Sequence, residues 1–225
     1  MPYARRGRYR GRRRVQRRRR APPSRGSIYG AAARQLYKDV AKLKNMINVE
    51  YKFHDYSSTN SLTTTPTINC INFVNEGDTD QTHDGAMFRM KSLAINGYLF
   101  LNAGTIPYKA RVALVLDTNA AASTTAPTYA EIYDSTGLPT QAMRNLDNRS
   151  RFVIMKQWDI VMNPNGQEGF PIKYFRNLDH KVQIVGTATE TNLRKNGLYL
   201  VMLSDTATAD NVKFEVTTRI RYIDN

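Results

Sequence analysis

The segment VKFEVTTRIRYID, residues 212–224, decides the fold. Val212, Phe214 and Val216 alternate with Lys213, Glu215 and Thr217. A period of two becomes one apolar and one polar face only on an extended strand. The same period recurs upstream, where Val49, Tyr51 and Phe53 alternate with Glu50, Lys52 and His54. FRMKSLAINGYLFL (Phe88–Leu101) reads as a long strand whose phase slips near Ser92, as a β-bulge would make it do. KARVALVLD, ending at Asp117, is apolar on both faces and belongs in the middle of a sheet. RFVIMKQW (Arg151–Trp158), HKVQIVG (His180–Gly186) and GLYLVMLSD (Gly197–Asp205) complete the set.

The segments between are rich in Thr, Asn, Ser, Asp, Gly and Pro, and the largest run from Ser57 to Gly85 and from Thr118 to Ser150. The second carries one short helix at PTYAEIYD (Pro127–Asp134), with Pro127 at the first helical position. About eight strands without intervening helices predict an all-β domain, an eight-stranded jelly roll of two facing antiparallel sheets. No repeat period is present that would suggest a propeller.

Ahead of this body the composition changes abruptly. The chain carries a formal charge of +14 over 225 residues. Twelve arginines and no acid fall within residues 1–25, so 14 − 12 leaves +2 for the other 200 residues. Those arginines are Arg5, Arg6, Arg8, Arg10, Arg12, Arg13, Arg14, Arg17, Arg18, Arg19, Arg20 and Arg25. Like charges repel and almost nothing there can be buried, so residues 1–27 are expected to be a disordered arm, bounded by Pro22-Pro23 and Gly26. Residues 28–47 favour helix. Leu36, Val40, Leu43 and Ile47 share one face, and Arg34, Lys38 and Lys42 form a basic stripe at spacing four. The β domain is then 48–225.

Guanidinium groups pair bidentately with phosphate oxygens and stay charged at any relevant pH. Binding them releases counterions from nucleic acid without sequence preference. The twelve arm arginines, with Arg34, Lys38 and Lys42, are therefore the expected nucleic-acid-binding residues. The same arm can serve as a nuclear localisation signal. Backbone contacts alone do not distinguish DNA from RNA.

Catalytic signatures are lacking. His54, His83 and His180 are scattered, and the aspartates beside them in sequence point to opposite sides of a strand. There is no nucleophile elbow, no P-loop and no H-E-x-x-H motif, so no enzyme, cofactor or metal is expected. NEGDTDQTHDG (Asn75–Gly85) has alternate carboxylates but lacks the rest of a calcium loop and reads as an acidic solvated loop. Cys70 stands alone and reads as a small buried hydrophobe in a strand. No apolar run is long enough to span a membrane, and no secretory signal is expected.

An arginine-rich terminus before a jelly roll resembles the coat proteins of small circular single-stranded DNA viruses that encode a replication initiator, circovirus-like agents among them. The likeness is carried, in order, by MFRMKSLAINGYL (Met87–Leu99), ARVALVLDTN with APTYAEIYD (Ala110–Asp134), RNLDNRSRFVIM (Arg144–Met155) and NGLYLVMLSD followed by VKFEVTTRIRYID (Asn196–Asp224). The resemblance implies the shell fold shared with satellite plant viruses and a homo-oligomer of about 60 copies in closed symmetry. It also implies a packaged single-stranded genome, DNA by analogy, with localisation in the virion and the host nucleus. On this view the basic residues Arg89, Lys91, Arg219 and Arg221 are further genome contacts or ordinary ion pairs. The alternative is a cellular nucleic-acid-binding protein, ribosomal or chromatin-like, with a basic tail.

Overall fold

In the computed structural model the residues described are 25–46, 51–103, 105–120, 126–134, 138–184 and 192–224. They form two units, a helix and a β body.

The helix, α1 (Arg25–Met46), begins three residues earlier than expected. Gly26 does not delay it, because first-turn amides have no intrahelical partner to lose. Leu36, Val40 and Leu43 lie exposed on it, as do Arg34, Lys38 and Lys42. Ile47 lies outside the described residues.

The body comprises β1 (Lys52–Leu62), β2 (Thr67–Cys70), β3 (Met87–Leu101), β4 (Tyr108–Asp117), a one-turn helix α2 (Tyr129–Ile132), β5 (Phe152–Met162), β6 (Gly169–Ile184), β7 (Leu193–Lys195), β8 (Gly197–Ser204) and β9 (Val212–Asp224). One sheet has the order β1-β9-β3-β6-β7 and the other β2-β8-β4-β5. All pairings between these strands are antiparallel. Leaving aside the three-residue β7, the orders are those of an eight-stranded jelly roll, which buries one face of each sheet against the other.

Strand β9 lies between β1 and β3 and turns Val212, Phe214, Val216, Ile220 and Tyr222 into the core, as its alternation predicts. The bulge near Ser92 is present: register shifts between Met90 and Ser92, so Met90 faces the core and Ser92 pairs with the outward Arg221. Strand β4 is central, between β5 and β8. Each large aliphatic side chain buried here contributes roughly 1.5–3 kcal/mol. Cys70 is buried at the end of β2.

Four expectations are corrected. The 57–85 segment is not all loop, because β1 continues to Leu62 and β2 follows. Their Ser, Thr and Asn residues belong to strands held by partners distant in sequence, β9 and β8. Strand β1 also turns the other phase inward. Lys52 is buried with its ammonium 2.8 Å from Asp224, whereas Tyr51 is exposed. Strand β6 begins at Gly169, eleven residues before the HKVQIVG segment; exposure on both faces near Arg176 erased its alternation. Finally, α2 starts at Tyr129 rather than Pro127. Glu131 caps it by accepting bonds from the Thr128 amide at 2.7 Å and hydroxyl at 3.0 Å.

Candidate nucleic-acid interface

The two sheets expose opposite kinds of outer surface. The β2-β8-β4-β5 sheet is covered. Ala113, Val115, Phe152, Val201 and Leu203 on its outer face pack against Tyr129, Ile132 and Tyr133 of the excursion between β4 and β5. Polar anchors pin that cover. Arg111 donates to Asp159 and to the Ala142 carbonyl, both at 2.6 Å, and its guanidinium lies 5.1 Å from the Tyr133 ring centre. The Tyr133 hydroxyl donates to Gln157 at 2.9 Å, and burial pushes its pKa up. This second core explains why β4 and β8 are apolar on both faces.

Within the β body, no such cover lies among the described residues over the outer face of the other sheet. Alternation along β1, β9, β3 and β6 brings seven cations to it, Arg89, Lys91, Lys173, Lys181, Lys213, Arg219 and Arg221, against three carboxylates, Asp55, Asp179 and Glu215. The difference, 7 − 3, is +4. Register arranges them in rows across the strands. One row reads Asp55, Arg219, Ala94, Phe175, and the next reads Phe53, Arg221, Ser92, Asn177.

Several of these cations are partly neutralised. Arg219 grips Asp55 bidentately at 2.7 and 2.6 Å and lies 5.1 Å from the Phe53 ring centre. The Arg219 hydrogen bond holds the Asp55 carboxyl below its ordinary range. Asp179 accepts from both Arg89 and Lys91, and those bonds lower its pKa likewise. Lys213 lies 3.4 Å from Asp210. Lys173, Lys181 and Arg221 make no ion pair among the described residues. Phe175, 67% exposed, and Tyr98 add aromatic surface to the same face. Cations that anchor phosphates, interleaved with aromatic rings on which bases stack, are the chemistry of single-strand binding surfaces.

Of the residues singled out in the sequence, Arg89, Lys91, Arg219 and Arg221 thus share one surface, and three of them are also ion-paired. Arg34, Lys38 and Lys42 run along α1 without an ion pair among the described residues. Arg25 opens that helix. The arginines from Arg5 to Arg20 lie outside the described residues. Lys173, Lys181 and Lys213 were missed. The phase of β6 would have marked Lys173, had its start at Gly169 been legible; Lys181 lies in the segment already read as a strand. Among the described residues no three His, Cys, Asp or Glu side chains are placed to hold a metal, the 75–85 loop included. His83 is buried there against Phe88 at 5.2 Å, with neither ring nitrogen hydrogen-bonded.

Comparison with known proteins adds the following. The family model described as Geminivirus coat protein/nuclear export factor BR1 family matches residues 3–225. No curated protein sequence matches. Among solved structures, the chain is similar to one from Desmodium yellow mottle tymovirus, with 12% identity, TM-score 0.34, and 77% of this chain and 87% of that one covered. It is also similar to one from Bacillus endospore appendages, with 11% identity, TM-score 0.31, and 79% and 92% covered. The jelly-roll assignment rests on strand order and not on these distant likenesses.

Proposed function

The chain belongs to the Geminivirus coat protein/nuclear export factor BR1 family, and from that premise we propose that it assembles into a small icosahedral shell around a single-stranded DNA genome. The uncovered cationic sheet face, opposite a sheet whose outer surface the excursion covers, is the observation that carries this reading. The cationic face suits the lumen, together with the arm arginines Arg5 to Arg25 and the Arg34, Lys38 and Lys42 stripe. The excursion suits contact between copies, since Leu138, Met143 and Leu146 are 65%, 79% and 68% exposed on it. Membership of this family supports a structural role in the virion over the cellular nucleic-acid-binding alternative.

About 60 copies in closed symmetry would bring about 720 arm charges into the lumen, which suits a genome on the order of 1–2 kilobases. Entry of the protein into the host nucleus through the arm belongs to the same proposal. The arms repel one another and oppose assembly until phosphates neutralise them. The test is to purify the full chain and a form lacking residues 1–25, remove nucleic acid, and follow particle formation by light scattering and microscopy as single-stranded DNA is added. The full chain is expected to form particles on DNA addition, and the armless chain to form empty ones without it. An armless chain that never assembles would show that the shell contacts depend on the arm.

A further inference from the structure

On the cationic face a depression of about 300 Å³ opens over β3 and β9, lined by Asn96, Gly97, Tyr98, Pro171, Glu215 and Thr217. That volume is at the small end of ligand pockets. Tyr98 pairs directly with Glu215 on one side and with Pro171 on the other. Asn96 and Thr217 form the neighbouring row, with Lys173 beside them. The Tyr98 ring is held in place by stacking on Phe100 at 5.8 Å. Its hydroxyl occupies the space that a Cβ at Gly169 would need, so a side chain there would displace the ring.

Glu215 is the anomaly on this surface. Asp55 and Asp179 each bind cations, whereas the Glu215 carboxylate makes no ion pair or hydrogen bond among the described residues. An unpaired carboxylate repels phosphate, so a nucleic-acid strand crossing here must present an uncharged part to it. We propose that this depression binds one unpaired guanine base of the packaged strand. A carboxylate accepts two parallel N–H bonds. Guanine alone among the DNA bases places two adjacent donors, N1–H and N2–H, on its Watson–Crick edge. Adenine and cytosine set one donor beside an acceptor, and thymine sets one donor between two carbonyls. Tyr98 and Pro171 supply apolar surface for the face of the base. Lys173 in the neighbouring row and Arg219 in the row after it, at about 7 Å per row, are placed for phosphates on one side, and Lys213 for those on the other.

The inference rests on the reading of this face as a genome contact and adds a base to it. The test uses the full chain and fluorescence anisotropy at about 0.5 M NaCl, where the electrostatic pull of the arm is largely suppressed. The probes are thymine oligonucleotides of about 15 residues, either unmodified or carrying one central guanine, adenine or cytosine. The single guanine is expected to tighten binding about tenfold and the other two bases less than about twofold. Glu215→Gln should abolish the guanine preference and leave all-thymine binding unchanged or tighter. Tyr98→Ala should weaken every probe by about five- to tenfold. Thermal unfolding of each variant checks that it is folded. Equal binding of all four probes by the parent chain, or a guanine preference surviving in Glu215→Gln, overturns the proposal. Lys173→Glu with Arg221→Glu separates the two levels. If all-thymine binding falls in that variant while the parent lacks a guanine preference, the face contacts the strand without a base pocket. If all-thymine binding is unaffected, the face itself is not the genome contact.

Discussion

Arg151 clasps Asp117 at the root of the excursion between β4 and β5. Its Nε lies 3.1 and 3.2 Å from the two carboxylate oxygens, and its Nη2 reaches one of them at 2.9 Å. The carboxylate is fully buried, while the guanidinium side chain keeps 15% exposure. Nη1 adds a contact to Glu131 at 3.1 Å and so ties α2 to the same point. Burial opposes ionisation of Glu131, but its bonds from Thr128 and Arg151 outweigh this and hold its pKa below the ordinary value.

Removing Arg151 leaves the buried Asp117 charge without a cation, with only the Asn119 amide donating to it at 3.0 Å. Arg151→Met is expected to destabilise the subunit by about 3–5 kcal/mol, measured by urea unfolding of dissociated subunits. Arg151→Met combined with Asp117→Leu should lose less than Arg151→Met alone, because the orphaned carboxylate is gone. Equal losses would mean that the charge is not what Arg151 stabilises.

Gly97 lies against the buried ring of Phe214. A Cβ at position 97 would come 2.7 Å from that ring, closer than atoms pack. Gly97→Ala should cost about 1–3 kcal/mol through overpacking. Adding Phe214→Leu should give a combined loss smaller than the sum of the two single losses. Simple additivity would show that the two sites do not touch.

His54 gives the body a defined pH response. Burial lowers its pKa below 6.5, and the neighbouring Asp55 only partly opposes this. The unfolded chain therefore takes up a proton at higher pH than the folded one does. Stability from this group is complete above pH 6.5 and is lost as pH falls through the lowered folded value. Melting temperatures measured from neutral pH downward should fall more steeply for the parent than for His54→Asn. Parallel curves would count against it.

Binding through the arm should be strongly salt-dependent. If the arginines engage roughly eight to ten phosphates, log affinity for single strands should fall against log salt with a slope of roughly −6 to −7. Deleting residues 1–25 should remove most of that slope. A truncated chain with the same slope would place the electrostatic contact elsewhere.

The clearest strands in the sequence are those that face core on one side and solvent on the other. Strand β9 is legible for that reason, and so is the slip at Ser92, where one extra residue on β3 shifts the phase. Helix α1 is legible because a 3.6-residue period is a local property. Strand β2 was hidden, since four residues of Thr-Ile-Asn-Cys carry no period and become a strand only against Tyr199–Met202 of β8.

The amino-acid sequence by itself therefore determined that this protein has an all-β body and a first 25 residues carrying twelve arginines and no acid, because alternation and composition need no partner to be read. Tertiary structure alone decided which phase of β1 turns inward, since Lys52 is buried only where Asp224, at the far end of the chain, can neutralise it. It also decided that Arg221, Arg219, Lys173 and Glu215 share one surface. Strands β6 and β9 reach it from positions some 40 residues apart and meet only through β3 between them. Pairing over such separations depends on the burial that the finished sandwich provides, and no local window of sequence contains it.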